Sequence, residues 1–184
     1  MDDALRQRAR RVRALVLDVD GVLTDGRLYY GADGEALKVF DVRDGLGIRL
    51  LQQAGIRIAI LSSRQSPAVA ARARELDIDT VLQGRADKLA GLREILARFE
   101  LDAGQCALIG DDWPDLAPLA QVGLAATVAD ADPAVRAVAH WIAQAPGGRG
   151  AVRELAEFLL RAQGRFDALL AQAHGAAMEP SPHA

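Results

Sequence analysis

The stretch Leu15–Asp25 reads Leu-Val-Leu-Asp-Val-Asp-Gly-Val-Leu-Thr-Asp, an apolar run that stops at two carboxylates and a glycine. A short β-branched run of this kind reads as a buried strand, set here at Val12–Val19. Residues two apart on a strand project to the same side, so Asp18 and Asp20 are expected to leave the sheet together. Open α/β folds collect their ligands at that carboxyl end of the strands. Two carboxylates placed there are costly unless a cation neutralises them. A lone Asp-x-Asp is usually a surface turn, but this one terminates the most core-like strand in the chain.

The remaining sequence bounds the answer. With 184 residues, 51% of them hydrophobic, and a net charge of −3, one domain with a sizeable core is expected. The mild acidity argues against nucleic acid or a membrane surface as partner, and no apolar run approaches the roughly 18 residues of a membrane span. Arg6, Arg8, Arg10, Arg11 and Arg13 at the start read as a solvated helical arm. The single cysteine, Cys106, excludes an intrachain disulfide and a cysteine-rich zinc site. Asp2 and Asp3 stand where a signal peptide would be apolar, so a cytoplasmic location is expected.

Strands alternate with helices along the chain. Two β-favouring runs around Gly31-Ala32-Asp33-Gly34 form a hairpin over Arg27–Phe40, just past the dyad. Asp41-Val42-Arg43-Asp44-Gly45 leads into a helix ending near Gly55; Gly45-x-Gly47 lacks the third glycine of a dinucleotide loop. Further strands are read at Ile56–Leu61, Thr80–Leu82, Cys106–Ile109, Leu124–Val128 and near Trp141-Ile142. Ser66-Pro67 reads as a helix N-cap and first turn. Leu89, Leu92, Ile95, Leu96 and Phe99 carry helical spacing after Asp87-Lys88, and Val152, Leu155, Ala156 and Leu159 mark the apolar face of a late helix. The fold expected is a three-layer, Rossmann-like α/β parallel sheet, with residues 1–13 as an N-terminal arm and 14–163 as the domain. Residues 164–184 form a tail, helical around Phe166, Leu169 and Leu170 and flexible around Pro180-Ser181-Pro182.

Three strand ends thus deliver polar groups to one sheet edge: Asp18 and Asp20, then Ser62, then Gly110-Asp111-Asp112-x-x-Asp115, with Lys88 opening a helix nearby. Carboxylates without histidine or cysteine make an oxygen-only site suited to Mg2+ and a substrate phosphate. The hydroxyl and the ammonium would meet the other phosphoryl oxygens. A carboxylate approaching a phosphate to about 4 Å meets roughly 4 kcal/mol of repulsion per charge pair at intermediate dielectric, about a thousandfold in rate. A cation and a lysine must cancel that before Asp18 can attack. Alone, Lys88 would read as a solvated lysine and Ser62 as a strand-end hydroxyl; order and placement together outweigh those readings.

This pattern resembles the haloacid dehalogenase superfamily. Asp18-Val19-Asp20-Gly21 looks like its first motif, Ser62 its second, Lys88 its third, and Gly110-Asp111-Asp112-x-x-Asp115 its fourth. The resemblance implies Asp18 as nucleophile and Asp20 as acid and base. It implies Mg2+ held by Asp18, Asp111 and the Asp20 carbonyl, with the phosphoryl group held by Ser62 and Lys88. The second aspartate implies a phosphatase rather than a dehalogenase.

Neither the Asp20–Ser62 nor the Ser62–Lys88 interval is long enough for a cap domain. Val42-Arg43-Asp44-Gly45, Gly47-Ile48-Arg49, Gln83-Gly84 and Gly147-Gly148-Arg149-Gly150-Ala151-Val152-Arg153-Glu154 are similar to the capless members acting on acidic keto-sugar phosphates. The resemblance implies 3-deoxy-D-manno-octulosonate 8-phosphate as substrate, in lipopolysaccharide precursor synthesis. Arg49, Arg64, Arg72, Asp115 and the Asp41–Gly45 turn would contact it. It also implies a homotetramer in which a neighbour's hairpin and C-terminal tail complete the pocket. Two departures stand out: Ser62-Ser63-Arg64 where Thr-Gly-Arg is usual, and Asp41 where asparagine is common. A nine-carbon keto-acid phosphate is the alternative substrate, and a catalytically silent scaffold the alternative of another class.

Overall fold

The computed structural model describes residues 3–178, with side chains described to 175; the Pro180-Ser181-Pro182 stretch lies outside the described residues. At its centre is β1 (Ala14–Leu17), all four residues buried. It pairs in parallel with β4 (Arg57–Leu61) on one side and β6 (Cys106–Ile109) on the other. Outside β4 lies β5 (Thr80–Leu82); outside β6 lie β7 (Leu124–Thr127) and β8 (Trp141–Ile142). The resulting six-stranded order is β5-β4-β1-β6-β7-β8, parallel throughout. A strand covered on both faces must be apolar without alternation, which is why Ala-Leu-Val-Leu forms the centre.

Helices fill the two outer layers, connecting the parallel strands. On one face α2 (Val42–Gln53) and α7 (Ala151–Ala162) cross closely, with α1 (Asp3–Arg11) beside α7. Between β4 and β5 runs α3 (Pro67–Glu75). The opposite face carries α4 (Lys88–Phe99), α5 (Leu116–Leu119) and α6 (Pro133–Val138). After α7 comes α8 (Phe166–Met178), and β2 (Tyr29–Gly31) with β3 (Gly34–Leu37) forms a separate antiparallel hairpin. The late-helix face read from sequence, Val152, Leu155, Ala156 and Leu159, is fully buried.

Three local readings change. The N-terminal arginines are exposed as expected, but their helix is docked and not a free arm: Ala9 is fully buried, Arg8 Nη1 donates to the Gly123 carbonyl and Arg10 Nε to that of Ala162. The last carbonyls of a helix lack intrahelical donors, so a guanidinium beside the end of α7 is well placed. Ser66 occupies the N-cap position, but its hydroxyl donates to Glu35 Oε1 at 2.7 Å instead of capping. The central strand is shorter than Val12–Val19. The chain leaves the ladder at Asp18, and the Val19 carbonyl accepts from the amides of Val22, Leu23 and Thr24 in a tight turn.

That turn is held from far along the chain. A Cβ on Gly147 would lie 1.8 Å from the Gly21 carbonyl oxygen, and the Gly148 amide donates to the Val22 carbonyl at 2.8 Å. Asp44 anchors the helix that follows: buried on α2, it accepts from the Gly150 and Arg153 amides at 3.2 and 2.8 Å, capping α7. Asp44→Ala would leave two buried N–H groups without partners, and is expected to cost about 1–3 kcal/mol in urea unfolding. An unchanged unfolding midpoint with only a raised KM would assign Asp44 to the substrate instead.

Candidate active site

Asp18 is the first residue beyond β1, its amide donating to the Ile109 carbonyl at 3.1 Å. Its side chain is 9% exposed, with Oδ2 2.9 Å from Lys88 Nζ. Lys88, the first residue of α4 and itself buried, also donates to Asp115 Oδ1 at 2.7 Å. The other Asp115 oxygen accepts from the Asp111 and Asp112 amides at 3.2 and 3.4 Å, folding the loop after β6 around it. Gly110 is required there, because a Cβ would come within 2.4 Å of Asp115 Cγ. Asp112 caps the following 3₁₀ turn by accepting from the Trp113 amide.

Asp18, Asp111 and Asp115 each offer an oxygen within 4.8 Å of one another. Asp115 has both oxygens engaged already, so its part is to hold Lys88 and the loop. Asp111 Oδ1 is buried with no hydrogen-bond partner. Burial, then repulsion from Asp115, raises the Asp18 pKa to about 7 against the pull of Lys88. Burial and the charges of Asp18 and Asp115 raise Asp111 to about 8. Burial opposes the Lys88 charge, but the two carboxylates outweigh it and hold its pKa above the ordinary lysine value. An unpartnered buried carboxylate oxygen beside a second strained carboxylate is the donor set of a small hard dication. Gly21, at φ +87°, makes room for the Asp111 carboxylate: a Cβ there would sit 2.0 Å from Asp111 Oδ2.

Asp20 does not follow Asp18 onto a common strand face. Its Oδ1 accepts from Lys38 Nζ, on the segment after β3, and Oδ2 lies 3.7 Å from Arg64 Nε. Both aspartates nevertheless line one cavity of about 290 Å³ with Ser62, Ser63, Arg64, Lys88, Asp111, Asp112 and Asp115. Ser62 is buried, its Oγ accepting from the Arg64 amide, while Ser63 is exposed at the rim.

Of the residues expected on the sugar side, Arg64 and Asp115 line this cavity, and the others are elsewhere in this chain. Asp41 is the α2 N-cap, accepting from the Arg43 amide at 2.7 Å, and Arg43, chiefly through its side-chain hydrogen bond, lowers the Asp41 pKa. Arg43 also donates to the Arg149 carbonyl, and Val42 is 79% exposed. Arg72 lies against Gly45 and over the Phe40 ring, its centroid 6.0 Å away. Arg49, on a later turn of α2, pairs with Asp77 and donates to the Glu75 carbonyl at 2.6 Å. The cavity that gathers the aspartates includes none of these residues.

A haloacid dehalogenase-like hydrolase family model matches residues 41–123, which contain Ser62, Lys88, Asp111 and Asp115. The 3-deoxy-D-manno-octulosonate 8-phosphate phosphatase KdsC of Yersinia pestis is 45% identical over 166 residues, 90% of this chain and 88% of that protein. This chain belongs to the 3-deoxy-D-manno-octulosonate 8-phosphate phosphatase family. The family's Escherichia coli (strain K12) member is 42% identical over 87% of this chain and 85% of its own length. A Moraxella catarrhalis member, solved in complex with a magnesium ion, a phosphate ion and KDO, superposes with a TM-score of 0.91. It is 39% identical, covering 94% of this chain and 99% of that one. The parallel sheet and small hairpin are therefore those of a phosphatase of this family, a phosphoric monoester hydrolase.

Sequence reasoning missed Lys38 and Glu35, whose side chains meet Asp20 and Arg64 respectively. The available signal was two opposite charges in a hairpin whose neighbours Leu37, Val39 and Phe40 are apolar.

Proposed function

We propose that this chain hydrolyses 3-deoxy-D-manno-octulosonate 8-phosphate with Mg2+, releasing the free sugar acid for lipopolysaccharide precursor synthesis. The observation that carries the reading is the buried, unpartnered Asp111 oxygen beside Asp18, in a chain 45% identical to a phosphatase named for that substrate. Asp18, Asp111 and the Asp20 backbone carbonyl would hold the ion, which when bound offsets negative charge between carboxylate and phosphate.

Asp18 attacks phosphorus, forming a carboxylate–phosphorus bond as the bond to the ester oxygen breaks. Asp20 gives that oxygen its proton, then takes one from the water that attacks the aspartyl-phosphate and returns Asp18 to its free carboxylate. Lys88, already 2.9 Å from Asp18, and the Ser62 hydroxyl hold the non-bridging oxygens. Asp115 keeps Lys88 aimed at Asp18.

Arg49 and Arg72 do not line their own chain's cavity, and apolar side chains stand exposed around its approach, among them Tyr30 at 64% and Trp113 at 68%. Exposed apolar surface on that scale fits burial against another protein surface. In our reading that surface is a second copy of the chain, in a homotetramer whose neighbouring hairpin and tail complete the pocket. A cytoplasmic setting suits Cys106, free and buried, its thiol pushed up to about 12 by burial.

Phosphate release measured across sugar phosphates tests the substrate. The acidic eight-carbon ester is expected to exceed simple hexose phosphates in kcat/KM by about a hundredfold or more, the worth of a paired carboxylate. A nine-carbon keto-acid phosphate should fall between them. Equal turnover of all three would remove the substrate assignment, and light scattering on the same sample should give the mass of four chains.

A further inference from the structure

The Lys38 side chain is 1% exposed, an ammonium taken out of water on a two-stranded hairpin. Burial of that kind is costly without close anionic partners, and Lys38 has two. It donates to Asp20 Oδ1, and it lies 3.3 Å from Glu35 Oε2. Glu35 is shared further: its Oε1 accepts from Ser66 Oγ at 2.7 Å, and its Oε2 accepts from Arg64 Nη2 at 3.0 Å. One hairpin carboxylate therefore gathers donors from the hairpin and from the loop that carries Ser62. The Ser66 hydroxyl, ahead of Arg64 and Lys38, holds the Glu35 carboxyl below the usual range. Arg64 Nε is 3.7 Å from Asp20 Oδ2, beyond hydrogen-bonding distance.

We propose that Lys38, clasped by Glu35, is a positioning residue for Asp20, occupying Oδ1 so that Oδ2 alone exchanges the proton with the ester oxygen. The inference rests on the reading of Asp20 as acid and base. No atom of Lys38 enters the bond changes: the proton passes from Asp20 Oδ2 to the departing alkoxide oxygen and returns there from water. The hairpin thus acts on the chemistry through one oxygen of one carboxylate, in addition to shaping access. Misorienting Asp20 should hurt most where the leaving group needs a proton. An alkyl alkoxide needs one, whereas 4-nitrophenolate departs without help.

The test is single-turnover release of the leaving group by the full-length Mg2+ enzyme, using the sugar phosphate and 4-nitrophenyl phosphate. Lys38→Met is expected to slow alcohol release about a hundredfold and nitrophenolate release less than about threefold, with half-saturation little changed. Glu35→Gln, which keeps shape and loses charge, should show the same split at about tenfold, and Lys38→Arg should recover part of the loss. Should Lys38→Met fail to fold, Glu35→Gln carries the test. Equal losses on both esters would reduce Lys38 to a structural residue and overturn the proposal, as would unchanged rates. Asp20→Asn separates the two readings. A split in Asp20→Asn without one in the Lys38 and Glu35 variants removes the positioning role alone; no split in Asp20→Asn removes the reading of Asp20 as well.

Discussion

Asp18→Asn is expected to lower phosphate release by at least about 10⁴-fold while leaving the fold and oligomer intact. An amide keeps the shape of the side chain but cannot form the acyl phosphate. Folding does not depend on this carboxylate, because the strand that ends in it is secured by Ala14, Leu15, Val16 and Leu17, all fully buried. Lys88 keeps Asp115 as partner at 2.7 Å, so the substitution leaves no ammonium stranded. Phosphate release with gel filtration of the same sample checks both halves. Activity within about tenfold of the parent would assign the attack to water or to another group.

The second large effect is removal of the dication. Chelation should bring turnover to background, with recovery on adding Mg2+ in excess. The same treatment exposes a pH dependence with a definite sign. Asp18 and Asp111 rise from an ordinary 3.8 to about 7 and about 8 in the metal-free fold. Between those limits the folded chain keeps protons that the unfolded chain has released. Stability is then fully present below about pH 4 and is lost as pH rises through 7 to 8, a fall on the order of a few kcal/mol. A cation replaces those protons, so the rise in Tm on adding Mg2+ should be greater at pH 8 than at pH 6. A metal-free Tm that climbs steadily from pH 5 to 8 would contradict the assigned cluster.

The parts of this structure legible in the sequence are those set by local pattern. Parallel strands covered on both faces read as short apolar runs, and β4, β5, β6 and β8 lie within a residue of their expected bounds. The α4 spacing and the Gly-Ala-Asp-Gly turn were equally plain. Asp18, Ser62, Lys88, Asp111 and Asp115 follow from strand ends meeting at one sheet edge, and the cavity unites them. What did not show depends on partners distant along the chain. That Asp44 caps α7 did not show because nothing near it reveals that Gly150 and Arg153 need an acceptor. The hold of Asp115 on Lys88 and its loop did not show, because only the folded loop brings those partners near its two oxygens. The docking of α1 did not show because the carbonyls that receive Arg8 and Arg10 belong to Gly123 and Ala162.

The seating of Gly147 and Gly148 on the turn after Asp18 has a bearing on how the enzyme comes into being. A chain emerging from the ribosome presents its nucleophile early, but the segment that shapes the turn around it is made more than a hundred residues later. Until then the Gly21 turn lacks the backbone that packs against it in the finished fold. The turn that carries the nucleophile is therefore completed only after the last strand and the glycine loop have been translated.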